Sequence, residues 1–419
     1  MALEVQREKA ILVGIELTGD NPEQTAYSFE ELARLADTAG ADVVGRVYQK
    51  RNKPDTVAFL GRGKAEELAV LCRDYGASLA IFDRELSAVQ ARNLEKITGV
   101  RIIDRTQLIL DIFAGRAKTR EGKLQVELAQ LNYLLPRLTG RGAEMSRLGG
   151  GIGTRGPGET RLEVDRRRIR RRIADLNAEI REVKKHRDLL RRSRREIPIP
   201  LVALVGYTNA GKSTILKKLT GAGVLVEDKL FATLDPTTRR VALPNNEAIL
   251  LTDTVGFIQN LPHHLVAAFR ATLEEVVEAD LLLHVVDASH PNAEKHIEAV
   301  NRVLESLGAA QKPFIMVYNK FDLLPDGTLP PAEKGQQAVP LSASKGWGFE
   351  DLLEAIARAF ASRRVRKTFF IPYGKSGMLP LLHEKGKVLR EEHGEKGVTI
   401  DVEIEAVWAD RVAARIRES

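Results

Sequence analysis

The segment GYTNAGKS, residues 206–213, decides the fold class of this 419-residue chain. It matches the pattern G-x-x-x-x-G-K-[ST], it follows the apolar run LVALV, and it precedes the run TILKKLT. Glycine lets backbone N–H groups come close to a phosphate, and the N-terminus of the next helix adds a partial positive charge. We therefore predict a strand, a phosphate-binding loop (the P-loop) and a helix in a mostly parallel α/β sheet.

The P-loop region supplies nine candidate nucleotide-binding residues. We expect Lys212 to reach the β and γ phosphates and the Ser213 hydroxyl to bind Mg²⁺. The full set is Gly206, Tyr207, Thr208, Asn209, Ala210, Gly211, Lys212, Ser213 and Thr214.

A second motif, DTVG at residues 253–256, follows the apolar run EAILLTD. We expect Asp253 to hold the magnesium ion through a water molecule and the Gly256 N–H to face the γ phosphate. Thr254 and Val255 lie between these two residues and belong to the same predicted site.

A third motif, NKFD at residues 319–322, follows the apolar run PFIMVYNK and indicates the base. The Asp322 carboxylate only accepts hydrogen bonds, so it can take both N–H groups of the Watson–Crick edge of guanine. Adenine would leave that carboxylate facing an unprotonated nitrogen and is rejected. We expect Asn319 to brace the loops around the base, with Lys320 beside it. We also expect the segment VPLSASKG to present backbone N–H groups to the guanine carbonyl at Ser342, Ala343 and Ser344.

Upstream of the P-loop, residues 8–115 alternate short apolar runs with amphipathic stretches. This alternation predicts a first α/β subdomain with a largely parallel sheet. Within it, the fragment FLGRGKAEEL is rich in glycine and precedes a helix, so it is a candidate phosphate site. A turn that leads into a helix explains the same residues.

The segment between the two α/β regions is predicted to form an antiparallel helical hairpin. Leucines from Leu124 to Leu138 recur every three or four residues and predict a helix with one apolar stripe, which Pro136 should end or kink. Glycine-rich residues 140–158 predict an irregular loop. A coiled-coil seam follows. Its a and d positions are Leu162, Ile169, Ile173, Leu176, Ile180, Val183 and Leu190.

The hairpin segment carries the positive charge of the chain. The net charge is +7, and residues 161–195 alone hold 15 Lys or Arg against 6 Asp or Glu. A solvated, rigid connector is one interpretation of such a run. Basicity, length and a glycine-rich tip together favour contact with nucleic acid. The candidate RNA contacts are Arg147, Arg155, Arg166, Arg167, Arg168, Arg170, Arg171 and Arg172.

Composition excludes several classes of protein. Hydrophobic residues make up 43% of the chain and charged residues 29%, which excludes bulk disorder. The sequence has no run of about 18 uncharged apolar residues, and its N-terminus mixes charge into the first apolar stretch, so we expect neither a membrane span nor a secretory signal. The single cysteine, Cys72, allows no intrachain disulfide and fits a reducing, cytoplasmic environment.

Several segments resemble the HflX family of translation-factor-related P-loop GTPases. They are FATLDPTTR at residues 231–239, DTVGF, FLGRGKAEEL, the run from ELAQLNYLLPRL to LGGGIGTRGPGET, and the basic helix after it. The resemblance covers nearly the whole chain. It implies that Thr233 closes on magnesium and the γ phosphate, whereas the residues alone do not distinguish Thr233 from Thr237 or Thr238. The implied catalytic residues are Lys212, Thr233 and Gly256, and the implied metal-binding residues are Ser213, Thr233 and, through water, Asp253.

The same resemblance implies a four-part chain. The predicted parts are an α/β subdomain at 1–118, a basic helical hairpin at 119–196, a P-loop GTPase domain at 197–363, and a small α+β domain at 364–419. Residues 197–200, IPIP, mark the start of the third part, and the fourth part contains no chemical motif that we identify.

In function, the resemblance implies a GTPase that binds the large ribosomal subunit and its RNA and splits stalled ribosomes under stress, with GTP hydrolysis governing release. A regulatory GTPase that acts as an RNA chaperone, or in RNA maturation or ribosome assembly, is the alternative. The residue after DTVG is Phe257, where many switch GTPases have a water-orienting glutamine. We therefore expect slow GTP hydrolysis by the protein alone and stimulation by the ribosome. We also expect the protein to be a monomer.

Asn209 adds a second candidate ion. It matches the P-loop asparagine of potassium-stimulated GTPases, in which a monovalent cation occupies the place of an arginine finger. An asparagine in a surface turn is the alternative interpretation. K⁺ is therefore a candidate cofactor beside Mg²⁺.

Overall fold

The computed structural model describes residues 7–138, 157–194, 199–221, 229–245, 247–259, 273–324, 337–361 and 364–417. The chain forms two compact units. The first comprises Met1–Val241 and Ala248–Trp347, and the second comprises Ala242–Glu247 and Gly348–Ser419. The second unit therefore includes the helix Phe349–Ala361, which the predicted four-part division assigned to the GTPase domain. The division itself stays a prediction.

The first unit begins with a four-stranded parallel sheet. Its strands are β1 (Glu8–Leu17), β2 (Ala41–Arg51), β3 (Leu79–Phe82) and β4 (Arg101–Asp104), in the order β2-β1-β3-β4. Four helices alternate with these strands: α1 (Pro22–Thr38), α2 (Arg62–Tyr75), α3 (Ala88–Thr98) and α4 (Arg105–Arg116). The predicted strand and helix alternation is present, and Cys72 lies in the core at 2% exposure.

Local sequence explains how these helices begin. Asn21 accepts a hydrogen bond from the Glu23 N–H at the start of α1, directly before Pro22. Ser87 and Gln90 form a capping box at the start of α3. In FLGRGKAEEL, Gly61 is the N-cap residue of α2, and its N–H donates to Gln49 Oε1; whether this segment binds phosphate stays a prediction.

Two antiparallel helices follow, α5 (Arg120–Arg137) and α6 (Pro157–Arg194). The ion pairs Arg120–Glu179 and Arg172–Glu127 show that the two helices are antiparallel, because residues further along α5 pair with residues earlier on α6. On α6, Leu176 is fully buried. The glycine-rich tip lies outside the described residues.

The prediction of one apolar stripe on α5 was wrong. The leucines of that stripe after Leu124 are only partly buried. A second face is more deeply buried, and its Val126, Ala129 and Tyr133 belong to a core that includes Leu108 of α4. Helix α5 packs on both sides, which a search for a single periodic face does not detect.

A six-stranded sheet forms the rest of the first unit, in the order β10-β9-β8-β5-β7-β6. Its strands are β5 (Leu201–Gly206), β6 (Thr237–Ala242), β7 (Ala248–Asp253), β8 (Leu281–Asp287), β9 (Phe314–Asn319) and β10 (Ala338–Pro340). The helices are α7 (Lys212–Thr220), α8 (Glu274–Glu278), α9 (Ala293–Ser306) and a short 3-10 turn at Phe321–Leu323. Strands β5, β7, β8, β9 and β10 pair in parallel. The predicted motifs lie at or just beyond the carboxyl ends of β5, β7, β9 and β10, where open parallel sheets bind ligands.

The second unit contains an antiparallel sheet in the order β11-β13-β12, formed by β11 (Arg364–Pro372), β12 (Gly386–His393) and β13 (Gly397–Glu405). Its helices are α10 (Phe349–Ala361), a 3-10 turn (Tyr373–Met378), α11 (Leu379–Lys385) and α12 (Ala406–Arg417). The predicted α+β pattern is present. Among the described residues, no helix is both long enough and apolar enough to cross a membrane.

Candidate nucleotide site

Two glycines of the P-loop have no room for a side chain. Gly206 has φ +152°, and a Cβ there would overlap the Val285 carbonyl oxygen. Gly211 has φ +99°, and a Cβ there would overlap the side-chain amide of Asn319. The loop therefore needs glycine both for its backbone conformation and for the close approach of its neighbours.

Lys212 lies inside the P-loop and is 6% exposed. Its Nζ donates to the carbonyl oxygens of Gly206 and Tyr207, at 3.0 and 2.8 Å. Burial lowers the pKa of Lys212 to about 8, although Asp253 opposes the shift. A Cβ at Gly256 would lie 3.1 Å from this Nζ and 2.8 Å from Thr208 Cα, so the DTVG turn passes close against the P-loop.

Three predicted metal-binding side chains meet at one point. Ser213 Oγ lies 2.8 Å from Thr233 Oγ1 and donates to Asp253 Oδ2 at 2.6 Å. Asp253 is fully buried, and burial raises the pKa of its carboxyl, which Lys212 opposes. Among the three candidate threonines, Thr233 contacts Ser213, whereas Thr238 Oγ1 donates to Thr252 on the neighbouring strand.

Asn319 joins two loops on the base side of the site. Its Nδ2 donates to the Ala210 carbonyl at 2.7 Å, and its Oδ1 accepts from the Ala343 N–H at 3.0 Å. Lys320 forms an ion pair with Asp287 at 2.6 Å. Asp322 Oδ1 is buried and has no hydrogen-bond partner among the described residues.

Two neighbouring cavities border the P-loop. A small cavity of about 50 Å³ lies between the P-loop, Gly256 and the segment around Thr233 that includes Phe231 and Ala232, here called the Thr233 segment. A larger cleft of about 860 Å³ lies between α1 and the outer side of the P-loop, and Asn209 lines both. The site is therefore bordered by the N-terminal α/β layer as well as by the six-stranded sheet.

The other predicted residues of the DTVG region and of the Ser342–Ser344 segment make contacts within the protein. Thr254 Oγ1 donates to the Leu204 carbonyl, and Val255 is buried. Phe257 is 1% exposed in a core with Val205 and is thus held by apolar packing. Ser342 Oγ lies 3.2 Å from Ser344 Oγ.

Sequence reasoning missed two long-range links to this site. The hydroxyl of Tyr207 donates to Glu31 of α1, 176 positions away in the chain. The Asp235 carboxylate, two residues after Thr233, accepts from the backbone N–H groups of Lys118 and Thr119. Glu31 lies in no motif, and Asp235 lies in the segment FATLDPTTR, but the sequence gives no signal for the partner of either residue.

The candidate RNA contacts divide into three groups. Arg147 and Arg155 lie outside the described residues. Arg172 forms a two-point ion pair with Glu127 at 2.7 and 2.8 Å, and Arg166 is half-buried. The remaining arginines of the run are exposed: Arg167, Arg168, Arg170 and Arg171.

Comparison with known proteins matches three family profiles to successive parts of the chain. Residues 26–114 match the "GTP-binding GTPase N-terminal" region, 116–194 the "GTP-binding GTPase Middle Region", and 201–320 a "50S ribosome-binding GTPase". A protein named GTPase HflX from Caldanaerobacter subterraneus is 50% identical over 97% of this chain and 93% of its own length. The chain belongs to the HflX family of GTPases.

Other HflX relatives agree with this assignment. The GTPase HflX of Alkalihalophilus pseudofirmus is 53% identical over 83% of this chain and 80% of its own length. The GTPase HflX of Escherichia coli is 46% identical over 87% of this chain and 86% of its own length. The predicted family, the P-loop GTPase fold and the GTPase activity are thereby confirmed.

Proposed function

We propose that this HflX-family GTPase binds the large ribosomal subunit and separates stalled ribosomes under stress, with GTP hydrolysis governing its release. The observation that carries the proposal is the run of exposed arginines on α6, Arg167, Arg168, Arg170 and Arg171, in the same compact unit as the GTP site. Exposed arginines at this density suit phosphate groups, because each contact releases a counterion. The match of residues 201–320 to a ribosome-binding GTPase profile supports the same partner.

In this proposal the site residues divide the work of GTP hydrolysis. Lys212 binds the β and γ phosphates, and the Gly256 N–H and Thr233 meet the γ phosphate. Asp322 accepts both N–H groups of the guanine edge, which its buried and unpartnered Oδ1 favours among the described residues. Asn319 holds the P-loop and the Ser342–Ser344 segment together around the base.

Mg²⁺ fits the oxygen cluster of Ser213, Thr233 and Asp253. Hydroxyl and carboxylate oxygens are the ligands that this ion prefers, and Asp253 Oδ1 is buried without a partner among the described residues. Magnesium bound there would offset the charge of the phosphate oxygens. Ser213 and Thr233 would bind it directly, and Asp253 would bind it through water.

K⁺ is part of the proposal through Asn209. Asn209 has φ +61° and lines the small cavity beside the phosphate-binding residues. A turn asparagine also adopts this backbone conformation. Faster hydrolysis in potassium than in sodium, at equal ionic strength, would support a cation site, and equal rates would leave Asn209 as a turn residue.

The experiment that tests the ribosomal role is cosedimentation of the full chain with separated ribosomal subunits in GTP, in GDP and without nucleotide. We expect GTP-dependent binding to the large subunit and a rate of GTP hydrolysis that rises with its concentration. Binding to RNA without stimulation of hydrolysis would instead support an RNA-chaperone or assembly role. A cytoplasmic, monomeric protein is part of the same proposal.

A further inference from the structure

A buried hydroxyl joins the P-loop to two distant segments of the chain. Tyr207, the second residue of the P-loop, is 4% exposed, and its hydroxyl donates to Glu31 Oε1 on α1. The same oxygen accepts from the Gln259 N–H at 2.8 Å. A phenol hydroxyl has one proton. Because that proton is donated in the hydrogen bond to Glu31, an oxygen lone pair faces the Gln259 N–H.

Glu31 is itself held firmly. It is 3% exposed and pairs with the Arg105 guanidinium, which also binds Asp83 at 2.8 Å. Burial raises the pKa of Glu31, and the charge of Arg105 opposes that rise. Because a buried charge without a partner is costly, this network keeps the Glu31 carboxylate in one place.

The ring of Tyr207 is fixed as well. It stacks on His296 of α9 with ring centroids 3.8 Å apart and planes within 6°. His296 Nε2 in turn lies 2.7 Å from the Tyr27 hydroxyl. The stacked ring therefore places the Tyr207 hydroxyl between Glu31 and Gln259.

The segment that Tyr207 contacts is the one that follows DTVG. Phe257 N–H donates to the Gly206 carbonyl at 3.1 Å, and Thr208 N–H donates to the Phe257 carbonyl at 2.7 Å. The Tyr207 hydroxyl adds a third point of attachment at Gln259. Together these bonds set the path of the backbone directly after Gly256, whose N–H we assign to the γ phosphate.

We propose that Glu31 is a positioning residue for GTP hydrolysis, acting through the Tyr207 hydroxyl on the backbone at Gln259. Glu31 lies in the N-terminal α/β layer, outside the sheet that carries the GTP site, and reaches the P-loop through the Tyr207 hydroxyl. Its contribution is geometric, because it orients a hydroxyl that holds the segment bearing Gly256. The role concerns intrinsic hydrolysis and needs no ribosome.

The test compares Tyr207→Phe with Ser28→Ala in the full chain. Tyr207→Phe removes only the hydroxyl and keeps the stacked ring. Ser28→Ala is the matched control, since the Ser28 hydroxyl lies in the same buried network but donates to Asp83, at 2.7 Å, and not to Tyr207 or Gln259. The readouts are the single-turnover rate constant of GTP hydrolysis without ribosomes and the affinity for a fluorescent GDP.

We expect Tyr207→Phe to lower the rate constant about fivefold to tenfold, the effect of losing the one hydrogen bond that holds the Gln259 N–H, and to change GDP affinity less than twofold. Ser28→Ala should lower thermal stability and leave the rate within twofold. An unchanged rate in Tyr207→Phe, or an equal loss in Ser28→Ala, would show that the network is only structural.

A double-mutant cycle tests whether Glu31 works through the hydroxyl. Glu31→Gln cannot present oxygen to both Arg105 and Tyr207, so alone it should slow hydrolysis several-fold. Added to Tyr207→Phe it should change the rate less than twofold. A further slowing in the double variant would overturn the proposal. If Tyr207→Phe does not fold, the test compares the single-turnover rate constants of Glu31→Gln and Ser28→Ala. Equal rate constants in these two variants would reject the role.

Discussion

At the scale of single residues, we propose that selectivity for the base depends on one carboxylate. Asp322 Oδ1 is buried and has no hydrogen-bond partner within the described part of the chain, so a bound base would satisfy it. Asn319 beside it is different, because both ends of its amide already bond to neighbouring loops. We therefore assign base reading to Asp322 and loop support to Asn319.

The first prediction concerns that carboxylate. Asp322→Asn places an N–H donor where guanine presents two donors, so GTP affinity should fall on the order of a hundredfold. Xanthosine triphosphate, which offers an acceptor at that edge, should bind better than GTP. Competition binding with both nucleotides measures the change, and unchanged GTP affinity would remove Asp322 from the base site.

A second prediction concerns acid stability. Burial lowers the pKa of His284 to about 4, from 6.5, and its Nε2 has no partner among the described residues. The folded state therefore keeps this histidine neutral, whereas the unfolded chain binds a proton near pH 6.5. The free energy of unfolding should fall as the pH drops from 6.5 towards 4, by up to about 3 kcal/mol from this group.

The variant His284→Gln isolates that effect. It should flatten the pH dependence of the free energy of unfolding over this range, measured by denaturant titration at several pH values. His383→Gln is the control, because His383 is exposed, at 51% of its side chain. Equal slopes in His284→Gln and the unmodified protein would contradict the burial argument.

At the scale of secondary-structure elements, the Thr233 segment is attached to the start of α5. The Asp235 carboxylate accepts from the N–H groups of Lys118 and Thr119 at 2.8 and 2.9 Å, directly before the helix begins. Phe231 packs edge-on against Phe113 of α4, with centroids 4.7 Å apart. The segment that carries Thr233 is thus held by the N-terminal helices on both sides of that residue.

The third prediction follows from this attachment. Asp235→Asn removes the negative charge that strengthens the hydrogen bonds from the Lys118 and Thr119 N–H groups, so the free energy of unfolding should fall by about 1 kcal/mol. Urea titration of the full chain measures it. Asp42→Asn serves as the control, since Asp42 forms an exposed ion pair with Arg7, and such pairs contribute about 0.5 kcal/mol or less. Similar losses in the two variants would mean that Asp235 does not hold the segment.

At the scale of the whole molecule, positive charge is concentrated on one helix. Arg172 is used within the hairpin, where it pairs with Glu127 and Glu179. Arg167, Arg168, Arg170 and Arg171 are exposed, and we propose them as the contacts of a partner. The proposed ribosomal contact therefore rests on these four and not on the full predicted set.

The fourth prediction concerns salt. Replacing these four arginines by glutamine should reduce the slope of log affinity against log salt for ribosome binding by about 3, if each contacts one phosphate. GTP affinity of the isolated protein should stay unchanged. Arg302→Gln and Arg358→Gln, both exposed elsewhere, are controls for charge alone. An unchanged slope would leave α6 as a rigid connector.

The sequence by itself determined the order of strands and helices, the P-loop and the family. These depend on short-range features, namely apolar periodicity, glycine spacing and motifs that follow strands, and all of them can be seen within a few tens of residues. Only the tertiary structure showed the contact of Thr233 with Ser213 and the second buried face of α5, and brought Glu31 to Tyr207 and Asp235 to Thr119. The contacts Glu31–Tyr207 and Asp235–Thr119 join residues more than a hundred positions apart, and the others depend on how loops and helices pack, so the partners become defined only when the layers pack together.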